Sequence, residues 1–202
     1  MAERLRDLMP ASSKMRYLAW RALRFPPAIT VRLSTGETLV IRRAPVGDLG
    51  VSYEVFVAEF YRSPRPLPDD SMKLIVDVGA NVGYSVSYLA RCYPNARFEA
   101  FEPHPLHVRA LVRNIKANRL GGRVTLHPAA AGVGARRGYL HDFGACSSVV
   151  ENAGPGLIPI EIIDFFDCVD SKTIDLLKLD CEGGEYDIIM DPRFENLTFA
   201  VS

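Results

Sequence analysis

From residue 73 onward, short apolar runs alternate with stretches in which apolar residues recur at three- and four-residue spacing. Leu74-Ile75-Val76 is a continuous apolar run ending at Asp77, the pattern of a strand buried on both faces. Val82, Val86, Leu89, Ala90 and Tyr93 then line one side of a helix. Phe98-Glu99-Ala100-Phe101 predicts a second strand. Pro105 opens a second helix at the position that tolerates a missing N–H. Val108, Leu111, Val112 and Ile115 form its apolar stripe, and Gly121-Gly122 closes it. Val124-Thr125-Leu126 predicts a third strand, Ile174 to Leu179 a fourth, Glu185 onward a short helix, and Leu197 to Val201 a fifth strand. This alternation predicts an α/β fold, a parallel sheet with helices on both faces. Two segments depart from it. Residues 129–156 are rich in Gly and Ala and predict a hairpin or a loop. Ile158 to Ile163 reads as an edge or added strand, because Pro159 lacks the N–H that a central strand needs.

Ahead of residue 73 the pattern is different. Leu5, Leu8 and Met9 share a helical face, and Leu18 and Leu23 do so more loosely, so residues 1–25 predict a helix docked on the domain. Its excess of basic residues leaves a membrane-surface or partner helix as the sharper alternative. Residues 28–43 read as a hairpin turning at Ser34-Thr35-Gly36-Glu37. Val51 to Tyr61 reads as helical, and the Pro-rich stretch Ser63 to Asp70 as a linker. The division expected is a cap with its linker over residues 1–70 and the main domain over 71–202.

Composition narrows the function classes. Lys plus Arg and Asp plus Glu both total 24, so the formal charge is zero. That argues against sequence-independent nucleic-acid binding. No apolar stretch is long enough for a membrane span, and basic residues scattered through the first 25 positions leave no secretory leader. Cys92, Cys146, Cys168 and Cys181 form no C-x-x-C pair, which reads as reduced thiols in a cytoplasmic protein.

Three motifs carry candidate chemistry. Val76-Asp77-Val78-Gly79-Ala80-Asn81-Val82-Gly83-Tyr84 is a strand, a tight loop and a helix start, the ligand crevice of an open parallel sheet. Asn81 and Gly83 break the G-x-G-x-x-G spacing of a dinucleotide site, so the loop suits a nucleoside cofactor without a diphosphate. Glu102 follows Gly83 by nineteen positions, placed to accept from ribose hydroxyls or to favour a helix N-terminus. In Lys178-Leu179-Asp180-Cys181-Glu182, the residues Lys178, Asp180 and Glu182 share one face of an extended chain. A buried Lys178 needs a partner, for which Asp180 and Glu185 are candidates. His104 and His107 read as helix-terminus polar residues. His127 and His141 show no recognisable partner, and Tyr84, Tyr88 and Tyr93 read as packing residues.

In order and spacing, Asp77-Val-Gly-Ala-Asn-Val-Gly-Tyr84, Phe101-Glu-Pro-His-Pro105, Asn114 with Asn118, Ser147-Ser148, Asp164 and Lys178-Leu-Asp-Cys-Glu-Gly-Gly-Glu185 together resemble the FkbM family. Its members are S-adenosylmethionine (SAM)-dependent methyltransferases, most of them acting on hydroxyl oxygens. The resemblance implies a Rossmann-like SAM-methyltransferase sheet. It also implies a SAM loop framed by Asp77, Gly79, Asn81 and Gly83, with Glu102 on the ribose. His104 stands where Asn is common, and Gly184 where Ala is common. The family domain continues past its fifth strand, so C-terminal strands are expected to be missing from this chain.

The expected activity is SAM-dependent methyl transfer to a hydroxyl oxygen of a small molecule or glycan. Asp180 and Glu182 are the candidate bases and Lys178 a positioning charge. No metal is expected, a divalent ion at Asp180 having few further ligands to hold it. No nucleic-acid partner is expected, and oligomer formation stays open. The alternatives are an NAD-dependent oxidoreductase and a non-catalytic remnant that binds a partner.

Overall fold

The computed structural model describes residues 2–23, 25–43, 47–62, 72–143, 146–181 and 183–200. The Ser63 to Asp70 linker and Glu182 lie outside the described residues. Two helices, α1 (Ala2–Asp7) and α2 (Ala11–Ala22), precede a hairpin of β1 (Ala28–Arg32) and β2 (Thr38–Arg42). The single helix expected over residues 1–25 is therefore divided, with Pro10 at the N-cap of α2, where its missing N–H costs nothing. The helix expected over Val51 to Tyr61 starts earlier and is α3 (Asp48–Phe56).

The main unit follows as β3 (Leu74–Val78), α4 (Tyr84–Cys92), β4 (Arg97–Phe101), α5 (Pro105–Ala117) and β5 (Val124–His127). Next come β6 (Ala130–Gly132), β7 (Arg136–Phe143), β8 (Cys146–Val150) and β9 (Ile158–Asp164). The chain continues with α6 (Phe165–Val169), β10 (Thr173–Ile174), β11 (Leu176–Leu179), α7 (Glu185–Met190) and β12 (Thr198–Phe199), with a 3-10 turn at Pro192–Asn196.

One sheet runs β11-β3-β4-β5, all parallel. Alternation along β3 shows why both faces are covered. Ile75 packs in a cluster with Leu89, Phe98 and Leu111, whereas Val76 and Val78 pack on the other face with Phe165, Phe166 and Ile188. The sheet therefore has α4 and α5 on one side and α6 and α7 on the other, the expected α/β arrangement. The first cluster also takes in Leu5, Met9, Tyr17, Trp20, Ile29 and Leu39, so one apolar core runs from the first helices into the sheet. Leu18 and Leu23 do not join it; they are exposed, because the buried stripe of α2 runs through Ser13, Tyr17 and Trp20.

Asn114 on α5 and Asn118, which caps its end, dock the hairpin. Val40 N donates to Asn114 Oδ1 and Thr38 N to Asn118 Oδ1, both at 2.8 Å, while Asn118 Nδ2 returns a bond to Thr38 O. The two amides satisfy backbone groups on the outer edge of β2, as a further strand would.

A second sheet has the order β6-β9-β7-β8. The hairpin expected within 129–156 is β7 with β8. The strand expected at an edge, β9, instead lies between β6 and β7. Pro159 is tolerated because β6 reaches only Ile162 to Asp164, leaving Pro159 with β7 as its one neighbour.

Candidate active site

The ends of β3, β4 and β11 converge on a cavity of about 750 Å³, lined by Gly79, Ala80, Asn81, Glu102, Asp180 and Cys181 among others. This is the crevice beyond the strand C-termini where open α/β sheets bind ligands, and its size suits a small cofactor. Lys178 lies opposite Asp77 in the β11–β3 register. Its ammonium sits 2.9 Å from Asp77 Oδ1 and donates to Gly79 O at 3.0 Å. Asp77 is fully buried, and its Oδ2 accepts from Ser85 Oγ at 2.6 Å. The partner of Lys178 is thus Asp77, nearer than Asp180, whose Oδ2 lies 3.7 Å away. Glu185, the other candidate, turns back on its own loop and accepts from Cys181 N and Gly183 N.

Asp180 stands at the rim with its side chain 54% exposed. Tyr61 donates its hydroxyl to Asp180 Oδ2 at 2.7 Å, and the Lys178 ammonium sits 5.2 Å from the centre of the same ring. Burial, with the Asp180 carboxylate beside it, holds the Tyr61 phenol well above its ordinary value. The hydroxyl is therefore a donor across the physiological range.

Gly79 and Gly83 have φ of +82° and +81°, the left-handed region that suits glycine. The space beside Gly79 is taken by protein: a Cβ there would lie 1.9 Å from Asp180 O. Gly79 thus admits the backbone that follows β11. Asn81 shares the left-handed conformation, and its N–H donates to Glu102 Oε2 at 2.8 Å. Glu102 Oε1 accepts from His104 N at 2.8 Å. The carboxylate is 5% exposed and lines the cavity. Oε1 also has His107 Nδ1 at 3.6 Å, so Oε2 is the oxygen with clear capacity for a second donor such as a ribose hydroxyl.

His104 caps α5, its Nδ1 accepting from Leu106 N, and stacks on His107 at 4.3 Å. His127 does have partners: its Nε2 lies 2.7 Å from Glu99 Oε2, and its ring stacks on Phe101. Tyr84, Tyr88 and Tyr93 are buried as expected. Asp164 caps α6 and is held by Arg193. Cys92, Cys168 and Cys181 are free thiols. Among the described residues no helix is long and apolar enough to cross a membrane.

The sequence reading missed Tyr61, Trp20 and Arg43, all of which line the cavity or its mouth from the N-terminal segment. Ser147 lines it too, and its Oγ is buried without a hydrogen-bond partner. An apolar wall of Val78, Phe101, Ala130 and Ala131, the Glu102 carboxylate as an acceptor and the Ser147 hydroxyl together fit an adenosine cofactor such as SAM.

A 192-residue alignment with Methyltransferase 1 of Beauveria bassiana is 27% identical and covers 80% of this chain and 75% of the relative. Methyltransferase sdnD of Sordaria araneosa is 46% identical over 48 residues, 24% of this chain and 18% of its own. Among solved structures, methyltransferase FkbM from Methylobacillus flagellatus is similar with a TM-score of 0.46 and 19% identity. That likeness covers 71% of this chain but 36% of that one. Residues 77–201, more than half of the chain, match the model of the methyltransferase FkbM domain. The chain therefore belongs to the FkbM methyltransferase family, whose methyl donor is SAM.

Proposed function

We propose that this chain catalyses methyl transfer from SAM to a hydroxyl oxygen of a small molecule or glycan, in the cytoplasm. Bound in this cavity, SAM would supply an electrophilic methyl group to the acceptor oxygen and would leave as S-adenosylhomocysteine, while a carboxylate of this chain would receive the hydroxyl proton. The chain's part is to orient the acceptor and to take the proton.

The observation that carries this reading is Asp180, a solvent-accessible carboxylate at the cavity rim with Tyr61 on one oxygen. Its Oδ1 has capacity to receive the acceptor proton. Lys178, fixed by Asp77, holds a positive charge beside it and acts as a positioning residue. Glu182 is retained as the second base. Asp77, Gly79, Asn81 and Gly83 shape the cofactor loop, and Glu102 holds the ribose. The cap over residues 1–70 is read as part of the acceptor side, with the transferase domain over 71–202.

The test is calorimetric titration with SAM and NAD, followed by single-turnover methyl transfer to hydroxylated acceptors. Asp180→Asn and Glu182→Gln should keep SAM binding, and at least one should lose about 10²–10⁴ in rate, the usual cost of a lost general base. Wild-type rates in both variants would move the base elsewhere. NAD binding in place of SAM would return the oxidoreductase alternative. Failure to bind either would favour a partner-binding remnant.

A further inference from the structure

The segment ahead of the family match brings several charged side chains to the cavity, Arg43 among them. Trp20 on α2 and Arg43, just past β2, line the same space as Gly79 and Glu102. The Arg43 guanidinium carbon lies 4.3 Å from the centre of the Trp20 ring, and Nη2 donates to Trp20 O at 2.6 Å. The indole is itself pinned: Trp20 is buried, and its Nε1 donates to Pro26 O at 2.7 Å. The guanidinium is thus fixed in plane and position. Its Nε, by contrast, is buried with no hydrogen-bond partner. Arg42 next to it shows the satisfied state. It grips Asp48 through Nε and Nη2 and donates Nη1 to Leu106 O. Among the described residues no carboxylate forms an ion pair with Arg43. A buried N–H left unused on a fixed guanidinium beside a cavity is unfavourable in the free protein, and it is the geometry that receives a planar anion.

We propose that Arg43, held on Trp20, is the carboxylate-receiving subsite of this cavity. The inference rests on the SAM-binding reading above. Two sources supply the same chemistry, the methionine end of the cofactor and a carboxylate on the acceptor.

The test compares the 202-residue chain with its Arg43→Gln variant. The probes are S-adenosylhomocysteine, 5′-methylthioadenosine (the same nucleoside thioether without the amino acid), benzoate and benzamide. Trp20 is the single tryptophan, so its emission reports this site alone. If the cofactor supplies the carboxylate, Arg43→Gln weakens S-adenosylhomocysteine about ten- to a hundredfold and leaves methylthioadenosine unchanged. If the acceptor supplies it, both nucleosides bind Arg43→Gln normally. Benzoate but not benzamide then shifts Trp20 emission in the S-adenosylhomocysteine-saturated wild type, and Arg43→Gln loses that response. Arg43→Lys, which keeps the charge and loses the fork, should restore either effect only in part. The proposal is overturned if Arg43→Gln changes neither nucleoside and benzoate acts like benzamide. It is also overturned if methylthioadenosine is lost as well, which would make Arg43 structural. A wild-type chain that binds neither nucleoside would sink the SAM reading itself, a result distinct from both.

Discussion

Tyr61 and Asp180, 119 positions apart, share a 2.7 Å hydrogen bond at the rim of the cavity. The donor comes from the segment ahead of the family match and the acceptor from the end of a central strand. The bond uses Oδ2, the same oxygen that lies 3.7 Å from the Lys178 ammonium. It also closes a wall, since Glu54, Tyr61 and Asp180 separate the main cavity from a groove along β11.

Tyr61→Phe should keep the ring and lose only the hydroxyl. A hydrogen bond to a charged group is worth about 1.5–3 kcal/mol. Turnover should therefore fall roughly ten- to a hundredfold, with SAM affinity within twofold of wild type. Single-turnover methyl transfer alongside calorimetry separates the two. A drop in melting temperature with unchanged turnover would make Tyr61 a packing residue.

Lys178→Met strands the Asp77 carboxylate in the core. Breaking a buried ion pair from one side typically costs about 3–5 kcal/mol. Urea midpoints should show a loss of that size, and adding Asp77→Asn should recover part of it. A single variant as stable as wild type would mean that Ser85 Oγ alone satisfies the carboxylate.

At Glu102 the side chain serves the loop and the proposed ribose site together. Glu102→Ala should weaken SAM roughly ten- to a hundredfold, the value of a lost charged hydrogen bond. Glu102→Gln should do less harm, because its carbonyl still accepts from Asn81 N or His104 N. Equal SAM affinities in wild type and Glu102→Ala would remove this residue from the site.

Cys181 lines the cavity, yet its thiol is a poor nucleophile. Burial, followed by the Glu185 carboxylate, pushes its pKa up from 9.0 to about 12. The thiolate fraction near pH 8 is then lower by roughly a thousandfold, and alkylation slows with it. Iodoacetamide labelling followed by peptide mapping should find Cys181 unmodified in the native chain and modified in urea. The native rate should rise with pH up to about 12. Rapid native labelling at pH 8 would contradict the environment described.

Much of the central sheet was legible because strand alternation and helical spacing act over a few residues. Lys178 and Asp180 fall on one face for that reason, but only Asp180 lines the cavity, while Lys178 turns onto the buried Asp77. What escaped was set by separation along the chain. Nothing in the spacing around Tyr61 points to Asp180, and nothing near residue 43 tells which of two adjacent arginines will be neutralised. Leu18 and Leu23 were misassigned because periodicity names a stripe without saying which stripe meets the core. Pro159 was read as an edge marker, yet a short neighbouring strand gave it an open flank inside the sheet.

The contact of Gly79 with the Asp180 carbonyl has a consequence for how this protein can diverge. The strand that begins the cofactor loop and the strand that presents the proposed base meet there backbone to backbone, with no room for a methyl group. On the proposed reading, acceptor preference can drift by exchanging cavity-lining residues such as Leu49, Gly50 or Val51, which come from a separate segment. Position 79 has no such freedom, because any side chain would pry the loop after β3 away from the end of β11. On the proposed reading, descendants of this sequence can change what they modify more easily than they can change that joint.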